Sequence, residues 1–398
     1  MRVVTTELAA DSSDLIDRLP ANPMSFVRHG DGLVGWGVAA RLSATGPQRF
    51  TQLSSAWNQL VADAQVTDSM NLPGTGLVAF GTIAFDDEST SDSVLIVPQV
   101  LLGSRDGRHW MTTVDGAALP AIGTSAEVSI SLTSGSQTRS GFKQSVELAL
   151  AAIDAGRVEK VVLARDLHSQ VPSDFDLRPV LNKLAHTYPS CWVYSVDGMF
   201  GASPELLVRV SHRQVSARVL AGTAGRGTDP GVDQAIGAAL ASSHKNLAEH
   251  KFAVDSMVKT LAPFCEHVDA DPVPFAMALP NLWHLASDVH GVLSANASVL
   301  DLAAAIHPTA AVAGTTRAEA LKLIRELEPF DRGRYAGPVG WIGADGDGEW
   351  AIALRGAQIS NGELTAFAGC GIVAESEPES EALETELKFK PIVEALLG

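Results

Sequence analysis

The sequence predicts an α/β fold. Two observations predict it. Apolar, β-branched runs such as Lys160-Val-Val-Leu-Ala-Arg165 stand between Gly, Asp and Asn turns, as strands do. Other segments carry apolar residues every three or four positions, as amphipathic helices do.

The first third reads mostly as strands. Residues 25–28 and 32–41 flank His29-Gly30-Asp31 as a hairpin. Phe50, Leu53, Trp57, Leu60 and Val61 recur at helical spacing and predict a helix over 47–64. Apolar runs at 76–85 and 93–103 follow, and an Asp106-Gly107 turn leads into a strand at 109–114. Residues 117–139 are rich in Ser, Thr and Gly and are the best candidate for an internal boundary or mobile connection.

Beyond it, Ser140 is placed to cap a helix ended by Gly156, with Phe142, Val146, Ala149 and Ile153 on one face. Strands are predicted at 160–167, 195–200 and 203–211, and helix over most of 229–264. Residues 338–343 and 349–358 read as a hairpin, and Asn361-Gly362 returns the chain through 363–373, giving a three-stranded meander. Ser376-Glu377-Pro378-Glu379 reads as a capping box opening a last helix, which Pro391 should end or kink.

The chain has 398 residues, with 29 Lys plus Arg against 46 Asp plus Glu, a formal charge of −17. That balance argues against nucleic-acid binding, which needs a basic face to neutralise phosphates. A small anionic substrate remains open to it, because one local cationic cluster suffices. No stretch approaches the roughly 20 apolar residues that cross a bilayer. Cys191, Cys265 and Cys370 are far apart and odd in number, so a disulfide scaffold is not expected. With no apolar signal region in MRVVTTELAADSSD, the expectation is a cytoplasmic protein.

Several residues could carry chemistry. Glu381, Glu384 and Lys388 share one face of the last helix. Spacing alone favours a solvated face with a Glu384–Lys388 pair. The other reading is two carboxylates holding Mg²⁺, a hard cation that takes oxygen ligands. Glu249, four residues after Lys245, faces the same choice. Lys160 opens an apolar strand and is either a solvated strand end or a half-buried general base. Glu205, in Ser203-Pro-Glu-Leu-Leu207, is either structural or a carboxyl kept protonated as a general acid. His284 and His307 read as structural when taken singly. The glycine-rich pieces at 221–227 and 368–371 match no nucleotide fingerprint, though their N–H groups suit a carboxylate.

Taken together, these pieces resemble the chorismate-utilising enzymes, and within them the isochorismate synthases. The matching segments are KVVLAR (160–165), SPELL (203–207), LAGT (220–223), EH (249–250), LWHLASDVHG (282–291), HPTAAVAG (307–314), ELEPFDRGRYAGPVGW (326–341), GEWAIALRGA (348–357), FAGCGIV (367–373) and ETELK (384–388). They run in family order over about two-thirds of the chain. The resemblance implies one fold with two large, mostly antiparallel sheets packed face to face and helices outside. Residues 1–139 would be its variable N-terminal half and 140–398 its chorismate-binding catalytic region. It also implies Mg²⁺ and the dicarboxylate chorismate. Carried over position by position, Glu249 and Glu384 would hold the metal, with Glu381 direct or through water. Tyr335, Arg355, Lys388 and the backbone at Gly369 and Gly371 would hold the enolpyruvyl carboxylate. Gly222, Thr223 and His284 would line the ring. Lys160 would activate water at C2, and Glu205 would protonate the C4 hydroxyl as it leaves.

Lys160 speaks against an ammonia-using relative such as anthranilate synthase. Ala221, where aminodeoxychorismate-forming relatives carry a lysine, speaks against that branch. The alternative is a salicylate synthase, which goes on to expel pyruvate from isochorismate. A non-catalytic binding homologue fits less well with all four of Lys160, Glu205, Glu249 and Glu384 present. The family resemblance implies a monomer.

Overall fold

The computed structural model describes residues 1–9, 14–120, 125, 129–227, 229–278 and 282–397; within these, the side chains of Thr223, Glu249 and Leu282 are not described. The chain forms two compact units. The first is Met1–Glu205, His307–Ala344 and Ala351–Gly398; the second is Leu206–Ile306 and Asp345–Trp350.

The first unit is built on a 13-stranded sheet. From one edge its strands run Thr133–Ser134, Lys160–Gln170, Glu363–Ile372, Gly356–Ser360, Met199–Ser203, Trp192–Val196, Met24–Arg28, Asp31–Trp36, Val100–Arg105, Arg108–Val114, Arg2–Leu8 and Gln65–Thr67, with Gly314–Thr315 also on the Lys160 strand. The pairings are antiparallel except that of Arg2–Leu8 with Gln65–Thr67. Helices Arg139–Asp154, Arg178–Thr187 and Pro378–Leu396 cover one face. Leu181, Leu184, Phe389, Ile392 and Leu396 of these helices meet Val27, Val34, Phe200, Ala366 and Ala368 of the sheet in one apolar cluster. On the other side, Trp192–Val196 packs against a second antiparallel run, Pro338–Gly343, Val78–Thr82, Ser93–Val97 and Ala40–Ala44.

The second unit carries the antiparallel strands Leu206–Ser211, Gln214–Gly225, Leu282–Leu293 and Cys265–Ala270, with Phe275–Ala278 also paired to Leu282–Leu293. Helices Pro230–Ser242 and His244–Leu261 pack on these strands.

The predicted helices at 47–64 and 140–155 are present as Arg49–Ala62 and Arg139–Asp154. Thr138 rather than Ser140 is the cap of the second, its hydroxyl accepting from Gly141 N–H. The 93–103 run is two strands, Ser93–Val97 and Val100–Arg105, which belong to different sheets and separate at Pro98. Proline has no N–H for a ladder, and a continuous apolar run does not reveal a change of sheet. The strand read at 195–200 spans a turn instead: Asp197 and Gly198 sit at φ 52° and 82° between Trp192–Val196 and Met199–Ser203. The 349–358 strand is likewise broken, into Gly348–Ile352 and Gly356–Ser360, so the three-stranded meander does not form. No capping box forms at the last helix, because Ser376 Oγ accepts from Val373 N–H. Pro391 neither ends nor bounds that helix. It continues to Leu396, its last turns held by burial of Ile392, Ala395 and Leu396.

Candidate active site

The Lys160 strand and its neighbour Glu363–Ile372 place three of the predicted residues together. In their register Val162 lies opposite Gly371 and Ala164 opposite Gly369. The half-buried Lys160 arm crosses Gly371, where an added Cβ would stand 2.6 Å from Lys160 Cε and 3.3 Å from Nζ. At Gly369 an added Cβ would stand 2.6 Å from the Leu163 carbonyl oxygen. Glycine is needed at both positions, for a side chain at one and for backbone at the other.

The last helix supplies the next three residues. Its inner face buries Ala382, Thr385 and Phe389, which sets Glu381, Glu384 and Lys388 along a half-exposed edge. Lys388 Nζ bonds Glu384 Oε1 at 2.6 Å and donates to Gly369 O at 2.8 Å. The helix is thereby joined to the glycine strand through the cation. Cys370 Sγ lies 3.6 Å from Glu381 O, and its thiol is pushed far up, first by burial and then by the nearby carboxylates.

Glu205 follows the Met199–Ser203 strand. Its N–H donates to Ser203 Oγ at 3.2 Å, and its carbonyl accepts from Ile352 N–H at 3.0 Å. Burial raises the Glu205 pKa, and Lys160, Arg355 and Lys388 oppose that rise. One carboxyl is thus held toward its neutral form within electrostatic reach of three cations. Arg355 occupies the break between Gly348–Ile352 and Gly356–Ser360, at φ 52°, with burial acting against its charge and Tyr335, Glu384 and Glu205 supporting it. Tyr335 is buried and stacks on Phe367 at 5.0 Å between centroids; burial pushes its pKa up to about 12, so it stays a neutral donor.

In the second unit, Gly222 has φ 78° at a shift in register between Ala221 and Thr223, and Thr223 lies opposite His284. His250 is buried with its ring bridging Ala221 O at 3.0 Å and Ser287 Oγ at 2.9 Å. Glu249 lies on the His244–Leu261 helix, and its side chain, like that of Thr223, is outside the described residues. Among the described residues no group of three His, Cys, Asp or Glu forms a metal cluster. Glu381 and Glu384, three residues apart on one helix, offer the carboxylate oxygens that suit Mg²⁺.

One pair was missed by the sequence reading. Glu328 and Arg332 form a buried ion pair at 2.6 Å. Glu328 Oε1 accepts from Ala164 N–H at 2.7 Å, while Arg332 donates to Val162 O at 2.7 Å and Val312 O at 2.8 Å. The pair therefore fastens the Lys160 strand to the 307–314 segment. Its signal was the i, i+4 Glu–Arg spacing inside ELEPFDR, which on a surface helix would mean little.

These features define an acidic α/β enzyme in which a buried carboxyl, held toward its neutral form, and a lysine stand among cations suited to an anionic substrate. The chain belongs to the chorismate binding enzyme family, whose sequence model matches residues 20–118 and 120–397. It is 37% identical over 362 residues to a putative isochorismate synthase MenF of Mycobacterium tuberculosis, covering 87% of this chain and 94% of that protein. It is 39% identical over 267 residues to isochorismate synthase DhbC of Bacillus subtilis, covering 64% of this chain and 67% of that protein. The structure of the menaquinone-specific isochorismate synthase MenF of Escherichia coli superposes with a TM-score of 0.78 at 26% identity, covering all of this chain (100%) and 94% of that one. A putative 2,3-dihydroxybenzoate-specific isochorismate synthase of Bacillus anthracis gives 0.74 at 28% identity, covering 96% and 98%. The expected architecture of two large, mostly antiparallel sheets with helices is the one these chains share.

Proposed function

We propose that this chain is an isochorismate synthase, a Mg²⁺-dependent isomerase that converts chorismate to isochorismate for siderophore or menaquinone biosynthesis. The observation that carries the reading is the Glu205 carboxyl, raised toward its neutral form by burial while Lys160 and Arg355 act on it from nearby.

The reaction exchanges a hydroxyl at C4 for one at C2. Hydroxide is a poor leaving group, so Glu205 delivers a proton to the C4 oxygen as the C–O bond breaks. Water is a poor nucleophile, so the Lys160 amine takes its proton as the C2–O bond forms. One proton is gained and one given, and no oxidant or second substrate is consumed. The two groups must hold opposite protonation states at one pH, which requires environments that move their pKa values toward neutrality. Arg355, Lys388, Tyr335 and the backbone at Gly369 and Gly371 hold the enolpyruvyl carboxylate. By the resemblance, Gly222, Thr223 and His284 would line the ring. By the same resemblance, the carboxylates Glu381 and Glu384, with Glu249 as a third acidic residue, would hold Mg²⁺. The ion would supply Lewis acidity toward the substrate.

The three cysteines are unpaired, which fits a reducing cytoplasm. Among the described residues no helix is long and apolar enough to cross a membrane. In this reading the substrate is a free small molecule and the enzyme acts as a monomer. The test is incubation of the purified protein with chorismate and Mg²⁺, with chromatographic separation of isochorismate, salicylate and anthranilate. Isochorismate is the expected product. Salicylate with pyruvate would favour the salicylate synthase reading, and anthranilate would overturn both.

A further inference from the structure

Tyr194 is fully buried on the Trp192–Val196 strand, directly opposite Gly201. Its hydroxyl reaches past that glycine and donates to the Leu354 carbonyl at 3.1 Å. Two glycines clear its path. An added Cβ would stand 2.7 Å from the hydroxyl oxygen at Gly201 and 2.4 Å from it at Gly356. The carbonyl it holds belongs to the peptide that leads into Arg355, a non-glycine residue in the left-handed region at φ 52°. Such a conformation costs energy and persists only where its surroundings impose it. Backbone hydrogen bonds act on the same turn. Leu354 N–H donates to Ile352 O at 2.8 Å, Ala353 N–H to Gly337 O at 2.8 Å, and Ala202 N–H to Arg355 O at 3.3 Å. The last is long. Ser203 Oγ also donates to Ile352 O, and the Tyr194 hydroxyl is the side chain that reaches the Leu354 carbonyl itself. Ala336 N–H donates in turn to Ala353 O at 2.9 Å, and Ala336 is itself left-handed at φ 60°. The turns that present Tyr335 and Arg355 are therefore interlocked.

We propose that Tyr194 is a positioning residue for substrate: its hydroxyl, bonded to Leu354 O, fixes the left-handed Arg355 so that the guanidinium meets the enolpyruvyl carboxylate of chorismate. This rests on Arg355 holding that carboxylate. Tyr194→Phe removes the donor and keeps the ring that fills the core. One lost hydrogen bond should raise KM for chorismate about five- to tenfold. Turnover at saturation should stay within about twofold of the parent, since the reacting groups are untouched. KM does not depend on the folded fraction, so a partly unstable variant still reports.

The control is the same substitution in an Arg355→Ala background, comparing kcat/KM across the four proteins with Mg²⁺ present. With the guanidinium gone, losing the hydroxyl should change kcat/KM by less than about twofold. An unchanged KM in Tyr194→Phe overturns the proposal. So does an equal loss in both backgrounds, or a fall in kcat with KM constant, each of which marks a merely structural hydroxyl. If Arg355→Ala itself leaves KM unaltered, the assignment of Arg355 falls first and the role of Tyr194 with it.

Discussion

The Lys160 side chain lies across the backbone of Gly371, so close that a Cβ there would stand 2.6 Å from Lys160 Cε. The far end of a lysine can swing away where a main chain cannot. Gly371→Ala should therefore fold and still misplace the amine. Displacing a reacting group by about 1 Å can cost on the order of 10²-fold, so a fall in kcat of at least about tenfold is expected. Gly369→Ala is the contrasting case, because its Cβ would meet the Leu163 carbonyl, which is backbone. That variant should lose melting temperature first. Circular dichroism melts beside kinetics separate the two. A fully active Gly371→Ala enzyme would show that the lysine has no fixed task.

Lys160→Ala and Glu205→Gln should each lower turnover by at least about 10²-fold, the usual scale of a lost general base or acid. Both should leave melting temperature near that of the parent. Glu205 must be protonated to act, and burial raises its pKa. Activity is thus present below that raised pKa and lost as pH climbs through it. Glu205→Gln should erase the descending limb of the kcat profile, and a limb unchanged in that variant would assign it to another group.

How far the sequence alone reached depends on what each residue type reports. The helix at 47–64, the His29-Gly30 and Asp106-Gly107 turns and the Asn361-Gly362 return were legible, because periodicity and turn chemistry are local. Pro98 and Arg355 were not read as breaks, since a strand that changes sheet or hosts a left-handed residue looks continuous in hydropathy. The helices Arg178–Thr187 and Arg317–Leu327 went unread. Within the site, the cationic and acidic residues came from matched motifs. Tyr194 lies outside those motifs, and the Glu328–Arg332 pair, though inside one, was given no role, because the meaning of both lies in burial, which no local pattern carries.

Glu384→Ala and Glu249→Ala should each abolish the Mg²⁺-dependent reaction and leave the fold intact. Glu384 also pairs with Lys388 at 2.6 Å. Its loss should therefore weaken chorismate binding further than loss of Glu249. Excess chelator should silence the parent, and added Mg²⁺ should restore it. Full activity in chelator would remove the metal from the reading.

His307 should make the protein sensitive to acid. Its ring is buried, Nε2 donates to Phe85 O at 2.9 Å, and Nδ1 is buried with no hydrogen-bond partner among the described residues. Burial lowers its pKa from 6.5 to about 3. A depressed folded-state pKa means that the stability it contributes is complete above the unfolded value. It is lost as pH falls from about 6.5 toward 3, at up to about 1.4 kcal/mol per pH unit. Urea midpoints measured across that window should drop in the parent. In His307→Asn the slope should be shallower, even though the variant starts from lower stability. Parallel slopes would assign the acid sensitivity to other groups.

The last expectation concerns pyruvate. A salicylate synthase must move a proton from C2 to the enolpyruvyl methylene while the ether bond breaks. The resemblance places threonine, in elimination-competent relatives, where this chain has Ala311. The alanine methyl has no hydroxyl to orient the pyruvyl side chain, so the reaction should stop at isochorismate. Ala311 is exposed, and the backbone around it is fixed by Val312 and Ala313 N–H donating to Thr309 O at 3.2 and 3.0 Å. A threonine there should be tolerated by the fold. Ala311→Thr should raise pyruvate release above background, modestly, because one hydroxyl does not rebuild a site. A lactate dehydrogenase-coupled assay with chorismate and Mg²⁺ reads both proteins. Pyruvate released by the parent at the rate of chorismate loss, with salicylate in equal amount, would make the salicylate synthase reading correct.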